Sequence, residues 1–243
     1  MDFHSEVMAK EIYDTVFRTH LGKVSAISKL GNLQVLQGLS YFFPTSAKTA
    51  THQPILEVGA GIGTITRILL QSYRNEVYCY ELDQFCLGEL RMLKKNHAKK
   101  YSKRLHVISN LDKCDAINFF AIIIDGPISK KELSKIIKSS NNLKFIVIEN
   151  YRLLQRFWVT KLLYKAKFRQ QYVEIRHNFK PTATIFFVEK DCNKKLALHS
   201  FLDFANIVSR IFPKLVLHSW QSKGKILKIG KYKENGSGVV AHQ

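Results

Sequence analysis

The chain has 243 residues, 46% of them hydrophobic and 12% aromatic, which is enough apolar material for a packed core and excludes global disorder. With only 12 Gly and 5 Pro, it is neither collagen-like nor dominated by linkers. Its 38 Lys and Arg against 19 Asp and Glu give a formal charge of +19, which favours polyanionic partners such as nucleic acid or an anionic surface.

The first 17 residues, MDFHSEVMAKEIYDTVF, alternate charged and apolar positions and lack the uninterrupted apolar stretch of a signal peptide. The longest apolar runs, 119–124 and 145–148, are strand-length and far shorter than a membrane span. Cys79, Cys86, Cys114 and Cys192 match neither a zinc ribbon nor a disulfide framework. These features predict a soluble, cytoplasmic protein with no membrane span.

Residues 1–49 read as a helical segment, with Ile12, Val16 and Phe17 recurring at helical spacing until Pro44 breaks the pattern. From residue 54, short apolar runs (55–58, 77–80, 105–108, 121–124 and 145–148) alternate with helical candidates (64–73, 84–96, 130–139 and 152–168). Continuous apolar strands separated by helices predict a doubly wound parallel sheet covered on both faces. Two more strands, 172–177 and 184–189, are too close for a parallel crossover and must form an antiparallel hairpin. The fold class is therefore α/β, with a seven-stranded, mostly parallel sheet over 50–190. A C-terminal α/β extension, 191–243, holds a helix at 195–211, a hairpin around 220–224 and an alternating lysine-bearing strand at 224–233.

The most informative segment is Ile55-Leu-Glu-Val-Gly-Ala-Gly-Ile-Gly-Thr-Ile-Thr66. A strand ends at Val58, glycines stand at 59, 61 and 63, and a helix begins near Thr64. Glycine lets the chain turn tightly and a ligand come close, and the helix start offers unpaired N–H donors. A dinucleotide fingerprint, G-x-G-x-x-G, would need glycine where Thr64 stands.

The E-x-G-x-G-x-G spacing instead resembles motif I of the class I S-adenosylmethionine-dependent methyltransferases. That resemblance, carried by about residues 50–190, implies a Rossmann-like fold and S-adenosylmethionine as cofactor. It implies a cofactor site formed by Glu57, Gly59, Gly61 and Gly63. It further implies that an acid ending the second strand, Glu81 with Asp83 as runner-up, binds the ribose hydroxyls, since a carboxylate accepts two hydrogen bonds. Asp112 in the loop after the third strand would face the adenine, with Ile62 and Leu82 flanking the cofactor.

The fourth strand ends in Asp125-Gly-Pro127. Ligands of doubly wound sheets sit at the strands' carboxyl ends, so Asp125 is expected beside the transferred methyl group as the catalytic residue. Segments 55–66 and 77–83 also resemble rRNA adenine dimethyltransferases, but those enzymes carry an Asn-Leu-Pro-Tyr-type motif after strand four, where this chain has Asp-Gly-Pro-Ile. No metal is assigned. An alternative resemblance, to metal-dependent O-methyltransferases, implies Asp125, Glu149 and Asn150 around Mg²⁺, three oxygen ligands suited to a hard cation, although Glu149 replaces the usual Asp.

Basic residues cluster at 94–104, 130–138 and 152–176, and the last stretch interleaves them with Phe157, Trp158, Tyr164 and Phe168. Such mixtures can contact phosphates and stack on exposed bases, whereas Leu153, Phe157, Leu162 and Phe168 at near-helical spacing are expected to face the core. The leading expectation is a methyltransferase acting on RNA or another nucleic acid. The alternatives are an O-methyltransferase for a small molecule or glycan, and a non-catalytic protein that keeps the cofactor fold.

Overall fold

The computed structural model describes residues 4–18, 29–43, 53–96, 101, 103–150, 152–177, 180–189, 216–220 and 226–229. The expected helix at 195–211, Cys192 and the lysines at 99–100 lie outside them.

Five parallel strands form the centre: β1 (Ile55–Val58), β2 (Val77–Tyr80), β3 (Leu105–Ile108), β4 (Ala121–Ile124) and β5 (Phe145–Glu149). Antiparallel β6 (Arg169–His177) and β7 (Lys180–Glu189) follow, with β7 inserted between β5 and β6. The seven-stranded, doubly wound sheet read from the sequence is therefore present. The C-terminal extension continues it: β8 (Val216–Trp220) pairs with β6 and β9 (Ile226–Ile229) with β8, giving the order β3-β2-β1-β4-β5-β7-β6-β8-β9.

Among the described residues, six helices alternate with or precede the central strands: α1 (His4–Arg18), α2 (Leu30–Phe42), α3 (Thr64–Ser72), α4 (Gln84–Asn96), α5 (Lys130–Ser139) and α6 (Leu153–Lys165). Strand side chains alternate between faces, and here both faces are apolar. Ile55, Ala121, Ile123, Phe145 and Val147 pack with α1–α4. Leu56, Val58, Ile122, Ile124, Ile146 and Ile148 pack with α5 and α6. This two-sided burial is why the strands read as unbroken apolar runs.

Two helix ends follow local chemistry. Ser129 and Glu132 form a reciprocal capping box at the start of α5. α6 stops at Lys165, before the predicted end at 168, because Lys167 adopts φ +60° and turns the chain into β6. No helix among the described residues is long and apolar enough to cross a membrane.

The core expectation for α6 is corrected. Gln155, Val159, Leu162 and Leu163 form its buried face, and Phe168 is buried just beyond it. Leu153 and Phe157 point the other way and are exposed, because residues 155, 159, 162 and 163 already supply the i, i+4, i+7, i+8 stripe that meets the sheet.

Candidate active site

The register aligns Val58 of β1 with Tyr80 of β2 and Ile124 of β4, so the three carboxyl ends open at one level. The strand order reverses between β1 and β4, the point at which open α/β sheets bind ligands. A cleft of about 420 Å³ lies there, and its lining includes Gly59, Gly61, Ile62, Thr64, Glu81, Asp125, Glu149 and Arg152.

The three turn glycines all have positive φ: +78° at Gly59, +54° at Gly61 and +84° at Gly63. Their side-chain space differs. A Cβ on Gly61 would meet nothing within 4 Å and would project into open space. A Cβ on Gly63 would come within 3.1 Å of Leu90 and Leu93, so this glycine lets α3 pack against α4 and does not line the cleft. α3 begins without a side-chain cap or an acid in its first turn, and Thr64 and Ile65 line the cleft. Its N-terminal amides are thus donors available to a ligand.

Glu81 lines the cleft and is oriented by the backbone: it accepts hydrogen bonds from the amides of Gly61 (2.7 Å), Leu82 (2.7 Å) and Asp83 (3.0 Å). Asp83 instead caps α4, accepting from the Cys86 amide at 2.9 Å. Ile62 lines the cleft as expected, whereas Leu82 is exposed and does not.

Two sequence-derived positions are placed elsewhere. Glu57 is fully buried behind the glycine turn and outside the cleft lining. It accepts from the Thr66 hydroxyl at 2.7 Å and the Cys79 thiol at 3.3 Å, tying α3 to β1 and β2. Burial pushes its carboxyl up to about 8, against the opposing effect of those two hydrogen bonds. Asp112 is largely exposed on a 3₁₀ turn (Leu111–Cys114) and pairs with Lys135 at 3.4 Å, away from the cleft. Asn110 caps this turn by accepting from the Asp112 amide at 2.8 Å, and the Asp112 side chain is exposed to solvent.

Asp125, Glu149 and Asn150 do converge. β4 and β5 run in register up to Ile124 and Ile148, which carries the next residues to one end of the cleft. Asn150, at φ +60°, donates from Nδ2 to Asp125 Oδ1 at 3.3 Å, and Glu149 shares a side-chain hydrogen bond with Asp125. Burial raises the Asp125 carboxyl to about 6, opposed by the nearby Arg152 charge.

Arg152, a residue the sequence placed only within a basic cluster, completes this group. Its Nη2 donates to the Asp125 carbonyl oxygen and stands 3.8 Å from Oδ1 of the same residue. Gln155 donates to the Gly126 carbonyl at 3.0 Å, so the start of α6 clamps the Asp125-Gly126-Pro127 turn. The guanidinium supplies the positive charge that a cation would bring, and the Asn150 amide nitrogen faces Asp125. As arranged, with an amide nitrogen and a guanidinium both directed at Asp125, the group does not fit a Mg²⁺ site. Lys29, before α2, also lines the cleft. Spacing could not reveal it, because the N-terminal segment reaches the cleft only through tertiary packing.

No protein-family model matches the chain, and no curated protein sequence matches it. Solved structures do. The chain is similar to a protein of Pyrococcus horikoshii described as a candidate RNA methyltransferase, with TM-score 0.51 and 14% identity over 80% of this chain and 100% of that one. It is similar to the METTL16 MTase domain at TM-score 0.52 and 11% identity, covering 77% and 82% of the two chains. The human methyltransferase 10 domain containing protein matches at TM-score 0.50 and 14% identity, over 76% and 99%. At such identities the likeness concerns architecture: the chain has the Rossmann-like fold of the class I S-adenosylmethionine-dependent methyltransferases.

Proposed function

We propose that this protein transfers a methyl group from S-adenosylmethionine to a nucleic acid, RNA above all. The observation that carries the transfer reaction is the single cleft into which both the glycine turn with Glu81 and the polar group of Asp125, Glu149 and Arg152 open. The residues fit the cofactor on structural grounds. Gly61 leaves open space over an uncapped helix start, and the Glu81 carboxylate, oriented by three backbone amides, keeps one acceptor site on Oε2 for a ribose hydroxyl.

Gly59 and Gly61 of the turn, the start of α3 and the carboxylate of Glu81 would hold the cofactor, with Gly63 letting α3 pack on α4 and Glu57 and Thr66 bracing the turn from behind. The bound cofactor supplies an electrophilic sulfonium methyl. Asp125, held by Asn150 and Arg152, would orient the acceptor and receive its proton, with Glu149 sharing the charge. Holding the acceptor in line with the methyl group is the main contribution such a cleft makes.

The nucleic-acid reading is supported by the charge of +19 and by the dimethyltransferase-like segments around the glycine turn and β2. A second reading, metal-independent O-methylation of a small molecule or glycan, is favoured by the raised Asp125 carboxyl, which suits proton removal from a hydroxyl. Calorimetry with S-adenosylhomocysteine tests the cofactor: binding by wild type and none by Gly61→Arg is expected. Labelled-methyl transfer into total RNA, lipid and small-molecule fractions then separates the acceptors. Transfer by wild type but not by Asp125→Ala excludes a non-catalytic binding protein.

A further inference from the structure

We propose that the outer face of α6 is the docking track for a single-stranded stretch of the acceptor, leading it into the cleft; this rests on the nucleic-acid reading above. The helix sequence, LLQRFWVTKLLYK, contains no acid. Its inner face is covered by the sheet, yet Leu153 (56%), Leu154 (61%), Phe157 (60%) and Tyr164 (79%) remain exposed on the outside. A row of large side chains open to water on one helix marks a binding surface more strongly than the same residues scattered singly.

The helix is also anchored and aimed. Arg156 pairs with Glu174 of β6 at 2.7 Å, and Gln170 of β6 donates to the Thr160 carbonyl at 3.2 Å. At its first turn, Arg152 and Gln155 grip the Asp125-Gly126 turn. A chain lying along α6 therefore arrives at Asp125.

The chemistry of the face selects the occupant. Lys161 Nζ sits 5.8 Å from the centre of the Phe157 ring, so a dry, apolar partner would have to bury that ammonium, and lysine is depleted from protein interface cores for this reason. A nucleic acid satisfies both groups at once, with a phosphate for the ammonium and a planar base for the ring. Phe157 and Tyr164 are seven positions apart, about two turns or ~10 Å along the helix, close to the span of about three stacked nucleotides at ~3.4 Å each. Bases must be unpaired to stack on side chains, which specifies a single strand.

The test uses the full chain and fluorescence anisotropy with labelled oligouridine and oligoadenosine of roughly 20 nucleotides, at several salt concentrations. Phe157→Ala/Tyr164→Ala should bind at least about tenfold more weakly with an unchanged salt slope, while binding S-adenosylhomocysteine like wild type. Lys161→Ala/Lys165→Ala should flatten the plot of log Kd against log salt by about 1.4. The substituted side chains are exposed, so thermal melts should match wild type. If wild type binds the oligonucleotides and the aromatic double variant binds them equally well, the track is wrong and the nucleic-acid reading stands. If wild type binds S-adenosylhomocysteine but no oligonucleotide, both fail. Tight binding to phosphatidylserine vesicles, or self-association in sedimentation, that disappears in the aromatic variant also overturns the proposal.

Discussion

Gly59 and Gly126 meet backbone to backbone: a Cβ on Gly59 would stand 2.3 Å from Gly126 Cα, and one on Gly126 would stand 2.5 Å from Gly59 Cα. The amides of Asp125 and Gly126 both donate to the Val58 carbonyl, at 2.9 and 2.8 Å. The glycine that follows β1 and the glycine that follows Asp125 are therefore one structural device, which brings the two halves of the cleft within reach of each other.

Gly126→Ala should destabilise the fold by more than about 2 kcal/mol, because backbone atoms with no room to yield would have to part. It should also abolish S-adenosylhomocysteine binding. Gly61→Ala meets no neighbour and should cost only about 1–2 kcal/mol for its left-handed conformation, while still weakening that ligand through a methyl group in the cleft. Urea unfolding and calorimetry on the two variants check this ordering; equal destabilisation would contradict it.

Glu57 links stability to pH. Its folded carboxyl titrates near 8 because it is buried, above its ordinary value of 4.5. Between those values the folded state holds a proton that the unfolded state has released. Stability contributed by this group is thus full at low pH and falls by about 1.4 kcal/mol per unit as pH rises toward 8. Glu57→Gln keeps a neutral side chain at every pH, so the stability difference between variant and wild type should shift in the variant's favour from pH 5 to pH 8. Urea titrations at several pH values measure it, and a constant difference would refute it.

Asp125 should distinguish the charged cofactor from its product. Its carboxyl, raised to about 6 by burial, is mostly ionised at neutral pH and is protonated as pH falls below that value. S-adenosylmethionine carries a sulfonium charge that S-adenosylhomocysteine lacks. The ratio of their affinities should therefore fall several-fold from pH 7.5 to pH 5. In Asp125→Asn the ratio should be lower and flat with pH. Calorimetry of both ligands across this range gives the answer.

Arg152 predicts indifference to divalent cations. Its guanidinium engages the Asp125 carbonyl and lies 3.8 Å from the carboxylate, so Asp125 already has a positive charge from the chain beside it. Treatment with EDTA should leave S-adenosylhomocysteine affinity and labelled-methyl transfer unchanged. Activity lost with EDTA and restored by Mg²⁺ would return the Asp125, Glu149 and Asn150 ligand set to consideration.

Much of this molecule was legible in its order of residues. Apolar runs without alternation signalled strands buried on both faces, and the glycines at 59, 61 and 63 marked the turn beside the cleft. The short gap before the seventh strand required an antiparallel hairpin, because no crossover fits in it. Glu81 and Asp125 were also legible, since each ends a recognisable strand and strand ends share one edge of the sheet.

Other assignments depended on direction, which a linear pattern does not carry. Glu57 belongs to the same motif as Gly61, yet one step along a strand sends its side chain to the covered face, where it became a buried brace. Asp112 lies in the expected loop but turns toward Lys135. Leu153 and Phe157 have core-like chemistry and spacing, and only the packing of α6 on the sheet shows that another stripe faces inward. Lys29 reaches the cleft from an element distant in sequence, and Arg152 from the turn before α6, where only the fold shows that it meets Asp125. The sequence alone determined the sheet, its winding and the glycine turn, because these follow from hydrophobic periodicity and backbone freedom. Tertiary structure decided which polar groups share the cleft and which helix face stays open to water, because those outcomes depend on contacts between residues far apart in the chain.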